Sequence, residues 1–370
     1  MVSLVDNKSA LQRESLHLDY FMDDKNRICQ VLTWHHPEDR KLCIVKYDLG
    51  ESHWTSRDTG LQYRRMLKSY SLEGHHDNLI DFKEKEPEYY YHSIVYDVDF
   101  LAVPNNRIKR YFYPEERLKE ILEEKVELDA IEKKVKKLAE LLHDYLDIPF
   151  ERMGITGSVV WKAQTEKSDI DFIVYGNDYA QDFNEKFPVI FDVFPEIKRL
   201  SPDKKMRYER SMSRKSGLSM ELASKYIAKK KWLSIYDKTD LSLVFSPLPS
   251  ELPFKYGDEM FTPVCIVDVE CKITDSALGF AYPAIYQIES CKIISKTSPI
   301  PNLPLKRILS FEGALTGYFL KGENVVVRGL LEKVVDKKKN HTFLQIILGT
   351  KECVGNEFIL YPEDYHNLSK

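Results

Sequence analysis

Six cysteines in 370 residues, with no Cys-x-x-Cys pair among them, are too few and too scattered for a disulfide scaffold or a thiolate zinc site. Cys29, Cys43, Cys265, Cys271, Cys291 and Cys353 lie mostly in apolar, strand-like stretches, the setting of reduced and buried thiols. No run of about 18 apolar residues exists, so no membrane span and no membrane partner are expected. Met1-Val2-Ser3-Leu4-Val5-Asp6 lacks the basic and apolar regions of a signal peptide, and the expected location is cytoplasmic. A strong charge of one sign is also missing. The net charge of −4 excludes a chain that binds polyanions over its whole surface, and any nucleic-acid contact must be local. What remains is an ordinary globular composition, 43% hydrophobic and 30% charged. At about 150 residues per domain, the length suggests two or three domains.

The chain divides into three by pattern, and the expected class is α+β. Residues 1–113 read as a β-rich domain, with strand-length apolar runs at Ile28–Leu32 and Leu42–Tyr47 and a further candidate at Tyr89–Tyr96. Between the first two lies His35-His36-Pro37-Glu38-Asp39-Arg40, either a polar hairpin loop or a set of metal ligands; His75-His76-Asp77, in a Gly-containing turn, poses the same choice. Residues 114–250 form the second domain. Pro114 suits a first helical turn, and apolar residues from Leu118 to Tyr145 keep a helical period with a slip near Val126–Leu128, giving one long helix or two. The charges Glu132-Lys133-Lys134 and Lys136-Lys137 read as a solvated face. Asn177-Asp178 can cap a helix over Tyr179–Phe187. Residues 251–370 are β-rich again, with strands expected at Val264–Ile273, Tyr286–Ile294, Asn324–Val335 and Phe343–Leu348. If the two β-rich ends pack side by side, they bracket the central domain.

The chemistry concentrates in that centre. Gly154-Ile155-Thr156-Gly157-Ser158 is a tight turn, and Asp169-Ile170-Asp171-Phe172-Ile173-Val174 is a strand. Asp169 and Asp171 are two apart and leave one face of it. Two like charges at the head of an otherwise apolar strand are costly unless a cation sits between them, and Mg²⁺ suits hard carboxylate oxygens. Downstream, residues 196–231 hold twelve basic and four acidic residues, a local excess of +8. Arg207, Arg210 and Arg214, at i, i+3 and i+7, share one face of a helix. That face is either solvated or set against polyphosphate or nucleic acid.

Gly157-Ser158, ten intervening residues and then Asp169-Ile170-Asp171 resemble the signature of the DNA polymerase beta-like nucleotidyltransferase superfamily. The likeness covers roughly residues 115–250. The flanking β-rich regions look similar to those of an uncharacterised archaeal group of predicted nucleotidyltransferases. The resemblance implies a nucleotidyltransferase-type mixed sheet with helices. It implies two Mg²⁺ ions on Asp169, Asp171 and a third carboxylate, and a nucleoside triphosphate, with ATP the expected donor. The Gly157-Ser158 turn would open a helix whose free N–H groups and Ser158 hydroxyl hold the phosphates. Asp240, at the head of Thr239–Phe245, is the expected third acid, with Asp192 and then Glu270 as competitors. Arg207, Arg210 and Arg214 would meet phosphate oxygens. Lys162 would join them unless it is merely solvated, and Trp161 is either buried or stacked on a base. No helix–hairpin–helix motif and no all-helical body accompany the signature. The acceptor therefore stays open among RNA, protein and small molecules. A non-catalytic nucleotide- or RNA-binding protein on the same fold is the alternative.

Overall fold

The computed structural model describes residues 13–66, 72–230 and 232–368, a mixed α+β chain built on three sheets. The first sheet is antiparallel. Its strands are β1 (Tyr20–Asp23), β2 (Ile28–Val31), β3 (Arg40–Thr55), β4 (Gln62–Arg65), β5 (Tyr90–Ser93), β6 (Val98–Pro104) and β7 (Ile108–Phe112). They run in the order β5-β6-β3-β2-β1-β7, with β4 paired to β3. Helix α1 (Leu72–Lys85) precedes β5, so His75-His76-Asp77 stands in a helix rather than a turn. The expected strand over Tyr89–Tyr96 is shorter, because the chain turns after Ser93.

Two helices follow, not one. Helix α2 (Pro114–Leu122) carries proline in its first turn, and α3 (Ala130–Leu146) opens on a capping box in which the Asp129 carboxylate accepts from the Glu132 N–H. The slip near Val126–Leu128 is the break between them. The α3 stripe Ile131, Val135, Leu138, Ala139, Leu142 and Leu146 is buried. Glu132 departs from the solvated face expected for its charge run. Its carboxylate is fully buried between the Arg57 and Arg117 guanidinium groups, and it accepts from Gln164 Nε2 at 3.1 Å. A buried carboxylate persists only with such partners. This one ties the first sheet to α2, α3 and the central turn.

The second sheet contains β8 (Met153–Ile155), β9 (Ile170–Tyr175), β10 (Ile197–Arg199), β11 (Leu233–Tyr236) and β12 (Thr239–Ser246), in the order β10-β11-β12-β9-β8. It is mixed, with β9 and β12 parallel and the other pairs antiparallel. Helix α4 (Asn177–Val193) runs past Pro188, well beyond the Tyr179–Phe187 expected. Alternation along the strands divides the sheet into two faces. Ile170, Phe172, Val174, Leu241, Leu243 and Phe245 share one core with the apolar sides of α2, α3 and α4. The opposite face carries Asp171, Ser242 and Val244.

Helices α5 (Pro202–Ser216) and α6 (Met220–Ile227) leave this sheet between β10 and β11. Their apolar residues Met212, Ala223, Tyr226 and Ile227, with Leu218 of the linker between them, join the interior of the third sheet. That sheet is formed by β13 (Glu259–Leu278), β14 (Ala284–Lys296), β15 (Leu305–Ser310), β16 (Asn324–Asp336), β17 (His341–Leu348) and β18 (Phe358–Leu360). The long β13 pairs with both β14 and β16. The order β13-β14-β15-β17-β16 therefore closes on itself as a five-stranded barrel, with β15 and β17 parallel and β18 added to β16. Helix α7 (Pro362–Leu368) follows, and its Asp364 accepts from Lys225 and Tyr226 of α6.

The two β-rich ends meet. Tyr96 stacks on Phe261 with ring centroids 5.0 Å apart, and the Tyr91 and Tyr256 hydroxyls lie 2.9 Å apart. Trp34, Val95, Ile173, Tyr175, Ile285 and Leu309 fall in one apolar cluster that joins all three sheets. The His35-His36 loop belongs to this contact and is not an exposed polar hairpin. His35 stacks on Phe254, and burial lowers both imidazoles to about 3, so both are neutral.

Candidate functional site

Asp169 and Asp171 project from the start of β9 into a cleft of about 1170 Å³ bounded by all three sheets. The strand fixes them. Ile155 of β8 pairs with Phe172, Ser242 of β12 pairs with Asp171, and the Thr156 N–H donates to the Asp171 carbonyl at 2.9 Å. The Ser242 hydroxyl donates to Asp171 Oδ1 at 2.5 Å. Burial first, and then the Asp169 charge, push the Asp171 carboxyl above its ordinary range. The apposition of charges expected from the strand pattern is therefore present.

The Gly157 turn and the acidic strand are one unit. Gly157 has φ +68°, and a Cβ there would stand 2.5 Å from Asp171 Oδ2. The position requires glycine twice over, for its left-handed backbone and for the close carboxylate. Ser158 lines the cleft, with its hydroxyl 3.2 Å from that of Ser168. The segment after Ser158 is not the helix that was expected. It is a single turn, closed by the Ala163 N–H on the Ser158 carbonyl and ended by Lys162 at φ +58°. Too short to offer a helix N-terminus, the turn contributes Gly157, Ser158 and their local N–H groups.

Other expected residues lie elsewhere. Lys162 does not line the cleft; its ammonium sits between Asp58 at 3.3 Å and Glu120 at 3.2 Å. Trp161 is buried, packed against Tyr47 and Tyr63 with ring centroids 5.1 Å away in each case, so it does not stack on a bound base. Arg207, Arg210 and Arg214 share the exposed side of α5 and also lie outside the cleft lining. Asp192 sits on the exposed last turn of α4 rather than on a strand, and Glu270 belongs to the barrel strand β13.

Asp240 precedes the parallel pair Leu241–Ile170, which places it beside Asp169 in register. Its carboxylate is half exposed and ion-paired with Lys204 of α5, outside the cleft lining. Among the described residues, no three His, Cys, Asp or Glu side chains converge closely enough to hold a metal. The donor set at the acidic pair is two carboxylates with the Ser242 hydroxyl alongside. That set fits one hard cation completed by water or phosphate oxygens, the usual protein share of a Mg²⁺ shell. A second ion would need Asp240 released from Lys204.

Lys46 and Arg65 of the first sheet line one side of the cleft, and Lys167 and Lys230 are its other basic lining residues. Lys46 of β3 donates to the Tyr20 hydroxyl at 2.7 Å and to Gln30 Oε1 at 2.9 Å. Burial lowers its pKa, while Asp171 and Asp169 act to keep it charged. The Arg65 guanidinium lies over Trp54 at 5.3 Å and Tyr47 at 5.8 Å. The one signal available for Lys46 in the sequence was a lysine inside the apolar run Leu42–Tyr47. Tyr208 of α5 is a further neighbour, its hydroxyl pKa raised by burial and then by Asp171 and Asp169. At the far end, Phe280 and Tyr282 from the β13–β14 loop close the cleft, with His17 stacked on Tyr282 at 4.3 Å.

Over 340 residues the chain is 32% identical to an uncharacterized protein of Methanocaldococcus jannaschii, covering 89% of this chain and 94% of that protein. The chain belongs to the family of that protein. No family model and no solved structure matches it.

Proposed function

We propose that this member of the family is a metal-dependent nucleotidyltransferase, which moves a nucleoside monophosphate from a nucleoside triphosphate, with ATP the expected donor, to an acceptor hydroxyl and releases pyrophosphate. One observation carries the reading: the Gly157-Ser158 turn packs directly against Asp171, and both face a cleft wide enough for a nucleotide, with Lys46 and Arg65 among its lining residues. The surrounding sheet, mixed in direction, with helices on one face and the cleft on the other, is the setting this superfamily would need. Mg²⁺ bound at Asp169 and Asp171 would supply charge neutralisation of the triphosphate and a lowered pKa for the acceptor hydroxyl.

The chain's own groups divide the remaining work. Lys46 and Arg65 attract the phosphates and offset the acidic pair. Ser158 and the turn N–H groups orient phosphate oxygens, and Gly157 keeps the backbone close enough to do so. The Ser242 hydroxyl holds Asp171 in place. Asp240, freed from Lys204, would accept the acceptor proton. Lys162, Arg207, Arg210 and Arg214 take no part in holding the triphosphate.

The salt bridge between Lys204 and Asp240 favours a second reading, a nucleotide-binding protein without transfer activity, because it leaves the acidic pair short of a third carboxylate. The two are separated by incubating the protein with α-labelled nucleoside triphosphates and cell extract, with the Asp169→Ala/Asp171→Ala variant as control. Label in a macromolecule or small acceptor with the wild type alone supports transfer. Equal labelling by both proteins removes it.

A further inference from the structure

The basic segment divides sharply once its partners are known. Six of its cations are engaged within the protein. Lys204 pairs with Asp240, Lys205 with Glu209, Lys215 with Glu312 and Lys225 with Asp364, while Lys229 donates to the Tyr361 hydroxyl and Lys230 to the Gly313 carbonyl. The arginines of α5 are not. Among the described residues, Arg207, Arg210 and Arg214 form no ion pair, and all three are exposed.

The setting of α5 gives this row a direction. Met212 and Ser216 are buried against the barrel interior, which turns the 207–210–214 side outward. Lys204, one turn before Tyr208, fixes this flank of the helix on Asp240, which stands beside Asp169 in register. From Arg207 to Arg214 the row spans about 10 Å of helix axis. At its Arg207 end stands Tyr208, 41% exposed and one turn beyond Lys204, which pairs with Asp240.

Five-stranded Greek-key barrels commonly bind oligonucleotides across their second and third strands. Here Ile285 of β14 and Leu309 of β15 belong to the cluster that joins the three sheets, so the end of that face nearest the cleft is covered.

We propose that the outer side of α5 is a docking track for a single-stranded nucleic acid whose terminal hydroxyl is led past Tyr208 to the acidic pair. The inference rests on the nucleotidyltransferase reading for the purpose of the track, not for its existence. Guanidinium forks match phosphate oxygens, and an exposed tyrosine accepts an unpaired base but not one held in a duplex.

The test is fluorescence anisotropy with a 5′-fluorescein-labelled 12-nucleotide RNA, a DNA of the same sequence and the corresponding RNA duplex, at 50 and 200 mM salt. Three phosphate contacts at about 0.7 each on a single strand give a salt slope near 2, or about a twentyfold loss of affinity across that range. The Arg207→Ala/Arg210→Ala/Arg214→Ala variant is expected to lose most of this salt dependence and at least tenfold in affinity at 50 mM. Its retained binding of a fluorescent ATP analogue would show that the cleft is intact. Asp169→Ala/Asp171→Ala is expected to keep the RNA affinity of the wild type while losing transfer, so failure of the track and failure of the enzyme reading are read separately. Equal affinity and slope for the wild type and the arginine variant, or no binding by the wild type at 50 mM salt, would overturn the proposal. Duplex bound as tightly as the single strand would overturn it too, by removing the role of Tyr208. Preference between RNA and DNA identifies the polymer.

Discussion

Replacing Gly157 by alanine puts the proposed site under a stress whose size can be worked out beforehand. Two costs apply. At φ +68° a Cβ costs about 1–2 kcal/mol in backbone strain. With about 2.1 cal/mol/K per residue over 370 residues, the unfolding entropy is about 0.8 kcal/mol/K, so this strain lowers Tm by only about 1–3 °C. The second cost is local. The new methyl would stand 2.5 Å from Asp171 Oδ2, well inside any permitted contact, and the carboxylate must turn away from the cleft. A displaced charged ligand costs about 2–4 kcal/mol of binding, or roughly 30- to 1000-fold. Gly60 provides the control. It has nearly the same backbone, φ +70°, with nothing within 4 Å of a built Cβ. Gly60→Ala and Gly157→Ala should therefore melt within a few degrees of the wild type by circular dichroism. Only Gly157→Ala should lose Mn²⁺ binding by electron paramagnetic resonance and binding of a fluorescent ATP analogue. If Gly157→Ala binds both ligands as Gly60→Ala does, the turn and the acidic strand do not form one site, and the argument fails.

Lys46→Met should weaken the ATP analogue by about tenfold or more, the worth of a charge-assisted contact in a partly closed cleft, with little change at Lys162→Met measured in the same titration. Lys204→Met removes the ammonium from Asp240 and should tighten Mn²⁺ by about two- to fivefold, the range of an exposed ion pair; a Mn²⁺ titration of Asp240→Asn should show no gain when Lys204→Met is added. Glu332 is buried beside Gln345 and has its carboxyl pKa raised by burial to about 7. A folded-state pKa above the unfolded value means stability that is present at low pH and lost as pH rises from about 4.5 through 7. Glu332→Gln, which keeps the neutral shape, should therefore gain Tm relative to the wild type across that window, and a difference independent of pH would contradict the assignment.

Only part of this architecture could be read before folding, and the dividing line is the range over which each feature is decided. The carboxylate pair and its turn lie within fifteen residues, and strand alternation alone places Asp169 and Asp171 on one face. The α3 stripe and the barrel strands β16 and β17 are equally local, since apolar period and length define them. Features set by distant packing escaped. Lys162 follows the Ser158 turn, yet its direction is decided by a left-handed backbone and by Asp58 and Glu120, on other segments. Glu132 looked solvated because its neighbours are lysines, while its burial depends on Arg57, 75 residues away. Lys46 lines the same cleft as the acidic pair only because the first sheet packs over the second, a fact with no local trace beyond one charge in an apolar strand. The arginine row shows both sides of this line. Its i, i+3, i+7 spacing correctly predicted a shared helix face, but whether that face would look into the cleft or away from it depended on where Met212 and Ser216 found their core. They found it in the barrel, whose first strand begins at Glu259, more than forty residues downstream. The same guanidinium groups expected on the triphosphate are thereby left outside it, in the position a longer anionic ligand would need.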